Sequence, residues 1–113
     1  MVILDSDNGN VIASLPIGDR TDGCAFDPGT GLAFSANGEG TMTVVREETP
    51  SKFSVIETVK TQVGGRTITV DPTTHTLYIP TAEFGPAPAP TPERPRPRPA
   101  ILPNTFCILK IQK

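Results

Sequence analysis

Apolar residues run along this chain in short alternating stretches, each broken by glycine, proline, asparagine or aspartate. "VILD" (Val2–Asp5) leads through polar "SDNGN" into "VIASLPI" (Val11–Ile17). Two β-rich runs around Asn8-Gly9 predict a hairpin, because Asn and Gly accept the positive φ of tight hairpin turns. "GCAFD", "PGTG" and "LAFSA" predict a second hairpin, and "NGEG" (Asn37–Gly40) turns the chain into "TMTVVRE". "FSVIETV" (Phe53–Val59) follows the polar "ETPSK". "GGR" (Gly64–Arg66) then opens "TITVD", "PTTH" and "TLYIPT". One more strand, "FCILKI" (Phe106–Ile111), follows a proline-rich stretch. No segment has the period of an amphipathic helix. The pattern is all-β, with about nine short strands.

The runs also repeat. "CAFDPGTGLAFSAN" (Cys24–Asn37) and "ITVDPTTHTLYIPT" (Ile68–Thr81) share an apolar strand, an Asp-Pro turn and a second apolar strand. Asp27 and Asp71 lie 44 positions apart, and Phe34 maps onto Tyr78. Proline fixes φ at the first corner of such a turn, and the Asp side chain bonds the backbone just beyond it. A strand-only unit of about 40–45 residues is the period of a propeller blade. The chain therefore reads as antiparallel four-stranded β-propeller blades forming a partial propeller. Residues 1–17 supply the outer two strands of one blade and 24–59 a full blade. Residues 66–113 supply a last blade without its outermost strand, interrupted by a proline-rich inter-strand loop at 85–103.

"FSAN" (Phe34–Asn37), "YIPT" (Tyr78–Thr81) and "VILDSDNGNVIASLPIG" (Val2–Gly18) resemble the YVTN-type β-propeller repeat family. The similarity spans nearly the whole chain except the proline-rich stretch. It departs where Pro80 and Thr81 replace Thr-Asn, and where "VVREETPSK" stands in place of the usual Val-Ile-Asp. The resemblance implies a propeller of about seven blades, or about 300 residues at this repeat length. This chain would then be a C-terminal fragment of about two blades, marginally stable or self-associating through open blade faces and strand edges. Its partners would be the remaining blades or further copies. The family also implies a weak lean towards a periplasmic or secreted location.

Composition narrows the function. Ten glycines and thirteen prolines in 113 residues favour turns over long helices. A net charge of −2 gives no field for nucleic acid, and no apolar run nears the roughly 20 residues of a membrane span. "MVILDSDNGN" lacks the basic start of a signal peptide. Cys24 and Cys107 form no metal-ligand spacing and read as buried free thiols. "DSDNGN" lacks the sixth-position Gly and twelfth-position Glu of a calcium loop. His75 reads as a turn residue, and nothing in the spacing of Ser35, His75 and Asp71 supports a triad. No catalytic, cofactor or metal residue is expected. Arg20, Asp22, Arg66 and Glu83 fall near strand ends, where the resemblance implies a channel or rim.

The chemistry most open to a partner is "GPAPAPTPERPRPRPAILP" (Gly85–Pro103). Alternating proline forces polyproline-II backbone with no internal hydrogen bonds. A groove on another protein could read Pro92, Arg94, Pro95, Arg96 and Arg98. Three functions follow as expectations. The first is a non-catalytic propeller module for binding or scaffolding. The others are part of a lactonase-like propeller hydrolase and a polyproline display element.

Overall fold

The computed structural model describes residues 1–112, and these form nine strands in antiparallel sheets, with no helix among them. Strands β1 (Val2–Leu4) and β2 (Val11–Ser14) make a two-stranded sheet. Strands β3 (Thr21–Asp27), β4 (Leu32–Asn37), β5 (Thr41–Thr49) and β6 (Lys52–Lys60) make a four-stranded sheet in chain order. Strands β7 (Thr69–Asp71), β8 (Thr76–Thr81) and β9 (Cys107–Ile111) make a three-stranded sheet in the same order.

The turns explain where strands stop. In the β3–β4 turn, Asp27 Oδ1 accepts the Gly29 amide at 3.1 Å, and in the β7–β8 turn Asp71 Oδ1 accepts the Thr73 amide at 2.9 Å. Both turns close on a left-handed residue, Gly31 at φ 65° and His75 at φ 56°. The β1–β2 connection is wider than a two-residue turn. Only Gly9 is left-handed there, and the Asp5 amide donates to the Asn10 carbonyl at 2.8 Å. β2 ends at Ser14, short of the expected Ile17; Leu15 still exchanges backbone bonds with Met1, and Pro16 beyond it has no N–H to donate. Nine strands match the number expected from the alternation.

The middle of the four-stranded sheet, β4 and the first half of β5, is buried on both faces, and the three sheets form a stack. Strand residues alternate sides. On one side Leu32, Phe34, Ala36, Met42 and Val44 pack with Leu77 and Ile79, supported by Ile68, Val70, Leu109 and Ile111. On the other side Ala33, Ser35, Asn37, Thr43 and Val45 are also buried, and β2 approaches β6. This second face is polar, and Asn37 organises it. Its Oδ1 accepts from Thr21 Oγ1 at 2.7 Å and from Ser35 Oγ at 3.1 Å. Its Nδ2 donates to Thr41 Oγ1 at 2.9 Å and to Thr43 Oγ1 at 3.0 Å. One amide thus satisfies both lone pairs and both protons while tying β3, β4 and β5 together.

The expectation of two buried thiols needs correcting. Both cysteines are free, but Cys24 is exposed and Cys107 only half-buried. Cys24 pairs across the ladder with Ser35 but lies on β3, an edge strand of its sheet.

Asn37→Ala should destabilise the fold by about 2–4 kcal/mol, because it strands the buried Ser35 and Thr43 hydroxyls as well as losing its own bonds. Urea unfolding of the two proteins measures this. A loss below about 0.5 kcal/mol would show that the network does not support the sheet.

Candidate functional site

Two hollows flank the junction between the four- and three-stranded sheets, at opposite ends of β4. The first, of about 420 Å³, is mainly apolar, with Asp27, Thr30, Glu57, Thr74, His75 and Gln112 as its polar rim. The Asp-Pro turns of the two sheets meet there. His75 Nδ1 lies 2.7 Å from Asp27 Oδ2, which also accepts Thr30 Oγ1 at 2.9 Å. Asp27 is buried, while the His75 ring is about half exposed. Gly29 makes room for the ring, since a methyl group there would meet His75 Cε1 at 2.7 Å. His75 therefore pins one sheet to the next. Ser35 donates to Asn37 and His75 reaches Asp27, so the structure does not bring Ser35, His75 and Asp71 together as a triad.

The second hollow, of about 450 Å³, collects positive charge. Arg20, Arg66 and Arg98 line it, with Gly38, Val63, Gly64, Phe84, Pro99 and Ile101. Each arginine is placed by a different device. Arg20 precedes β3 at φ 60°, a left-handed conformation that costs a non-glycine residue about 1–2 kcal/mol. Its carbonyl accepts the Gly38 amide at 3.1 Å. Arg66 precedes β7 and pairs with Asp22 at 2.8 Å. Gly38 sits between the two stems: a methyl group there would lie 3.2 Å from Arg20 Cβ and 3.5 Å from Arg66 Cβ.

Arg98 arrives on the long connection between β8 and β9. That connection leaves and returns through a narrow stem. Phe84 bridges Ile101, the Gly85 amide donates to the Ala100 carbonyl at 2.9 Å, and the Leu102 amide donates to the Glu83 carbonyl at 2.8 Å. Its tip folds back where Thr91 and Arg94 exchange backbone hydrogen bonds of 3.0 and 3.1 Å. The Phe84 ring lies against Gly64, itself left-handed at φ 91°. Pro92, Arg94, Pro95, Arg96 and Arg98 all stand exposed along this arm, and Arg98 also lines the hollow.

The sequence treated Arg20 and Arg66 as rim residues and Arg98 as part of a display motif, so their convergence was not seen. One signal was available, since Asp22 and Arg66 occupy the same place in successive 44-residue repeats and carry opposite charges. No local pattern of residues specifies the return path of the arm. Among the described residues, no group of three or more His, Cys, Asp or Glu side chains is arranged to hold a metal. No helix is long and apolar enough to cross a membrane. No family model, curated protein or solved structure matches the chain.

The Asp27 contact has a pH signature. Burial raises the Asp27 carboxyl, but hydrogen bonds from Thr30, His75 and the Gly29 amide, with the imidazole charge, outweigh it and hold the group below its ordinary 3.8. The unfolded chain then binds the proton more tightly than the folded one. The stabilisation is complete above the ordinary value and disappears as pH falls through the lower folded value. Wild type should therefore lose stability below about pH 4 more steeply than Asp27→Asn, which is the weaker protein near neutrality. Urea midpoints from neutral to acid pH test this, and parallel acid slopes would assign the effect to another carboxylate.

Proposed function

We propose that the chain is a sector of a β-propeller of the YVTN-repeat type, working as a non-catalytic binding or scaffolding module. The observation that carries this reading is the backbone repeat. At a spacing of 44 residues, left-handed Arg20 is matched by left-handed Gly64, and left-handed Gly31 by left-handed His75. The Asp-Pro turns carry the same side-chain cap, and the strand order begins alike in both sheets. Stacked antiparallel meanders joined at such a period support blades rather than an unrelated sandwich.

The two ends of the stack support the scaffolding role. Tyr78, the counterpart of buried Phe34, is only half-buried on the outer side of the three-stranded sheet. Ile108 is exposed on β9, whose far edge carries no strand, and Phe106 is exposed just before it. At the other end Val2, Leu4 and Val11 are exposed on the two-stranded sheet. Such faces take further sheets, either from the same polypeptide or from a second copy stacked head to tail.

The 113-residue chain should therefore sediment as species heavier than its 12.0 kDa monomer, and the combined change Leu4→Lys with Ile108→Lys should move it towards monomer. Sedimentation velocity over a concentration series decides. A monomer persisting at about 100 μM would remove the open-face argument.

The exposure of Pro92, Arg94, Pro95 and Arg96 favours a second reading, in which the arm displays a polyproline ligand to an aromatic-lined groove. Replacing Pro92 and Pro95 by Ala should then abolish capture by such a domain while leaving the circular dichroism of the sheets unchanged. Capture that survives both changes would rule the motif out.

A further inference from the structure

We infer that the basic hollow beneath the arm is a binding site for a small organic carboxylate with an apolar body. This goes beyond the propeller reading and does not rest on it, because the hollow is formed within one chain.

Three exposed arginines, Arg20, Arg66 and Arg98, line the hollow, and no acid is among its lining residues. Asp22 neutralises Arg66 from beside it. Arg20 and Arg98 have no carboxylate within ion-pair distance among the described residues. The site thus retains uncompensated positive charge in a chain whose net charge is −2. Planar guanidinium groups match a carboxylate with two parallel hydrogen bonds. Part of its wall is apolar, with Val63, Phe84 and Ile101, each partly open to solvent. That wall distinguishes the site from a simple anion patch, because it rewards burial of a hydrocarbon body. At about 450 Å³ the hollow has the size of small-molecule sites.

Two features of the backbone place charge at this hollow. Arginine occupies a left-handed position at residue 20, where glycine would be free of strain and where the next repeat has Gly64. The arm has a hydrogen-bonded stem that brings Arg98 back to the sheet end. A merely solvated loop needs neither feature.

The test uses the full chain, titrated with 2-naphthoate, with neutral 2-naphthamide and with inorganic phosphate, and followed by amide chemical shifts. Naphthoate should bind at least about tenfold more tightly than either control, with shifts at Gly38, Gly64 and Phe84. Arg98→Ala should weaken naphthoate about tenfold with no change in unfolding midpoint. Arg20→Gly should weaken it similarly while holding or raising stability, which separates charge from folding. Equal binding of naphthamide would mean an apolar crevice only, and equal binding of phosphate a charge patch only; either result overturns the proposal. So does unchanged naphthoate affinity in both variants.

Discussion

The Asn37 side chain is the constraint on which the structure turns. It lies at the end of β4, a strand buried on both faces, where any polar group without a partner is expensive. Its four hydrogen bonds reach the start of β3, the body of β4 and the first turn of β5. They hold in register the end of the sheet from which the "NGEG" turn projects. That turn in turn places the left-handed Gly40, whose carbonyl accepts the Thr61 amide at 2.8 Å, and Gly38, whose carbonyl accepts the Gly64 amide at 2.9 Å. The link into the next sheet is therefore hung on the turn that Asn37 stabilises.

The repeat is informative where it varies. Thr81 stands one period after Asn37, and a hydroxyl replaces the amide. Thr81 Oγ1 donates to the Val63 carbonyl at 3.1 Å, a single tether where Asn37 has four bonds. At the other end of the sheets His75 replaces Gly31, accepting backbone strain in exchange for a side chain that reaches Asp27. Asp22 and Arg66, also one period apart, face each other as an ion pair. Equivalent positions of a stacked repeat become neighbours across the junction, so a change of residue type between repeats can act as an inter-sheet contact. The exposed Arg66–Asp22 pair contributes little by itself. Most of the cohesion comes from the apolar face of Leu32, Phe34, Met42 and Val44 against Leu77 and Ile79.

The strands were legible because their signal is local. Alternation and turn residues specify a strand and its ends within a few positions, and the Asp-Pro turns were readable as the caps they are. Burial of Cys24 was misjudged for a physical reason: an alternating pattern identifies the two sides of a strand but not whether it lies at a sheet edge, where the cover that buries Ser35 on the same side does not reach. The pairing of His75 with Asp27, 48 residues away, and the meeting of Arg20, Arg66 and Arg98 depend on how sheets stack. Three arginines scattered over 79 positions carry no common local signature.

The arm shows how a segment with poor folding prospects is held near a sheet. Its prolines remove amide donors and exclude internal hydrogen bonding, so polyproline backbone has no structure of its own to contribute. Order must come from its two ends. The Phe84–Ile101 bridge and the flanking amide bonds at Gly85 and Leu102 close the stem, and Thr105 Oγ1 secures its base by donating to Leu102 at 2.7 Å and accepting the Glu83 amide at 3.0 Å. Closing a loop of this length costs entropy that grows only slowly with each added residue, so a few backbone bonds suffice. Stiffness then favours the outcome, because a proline-rich return leg has fewer unfolded conformations to lose than a flexible one. Pro97 and Pro99 are half-buried on either side of Arg98, whereas Pro92 and Pro95 nearer the tip are exposed. The same composition thus serves two ends of one arm: an exposed tip, and a braced base that keeps Arg98 among the residues lining the hollow.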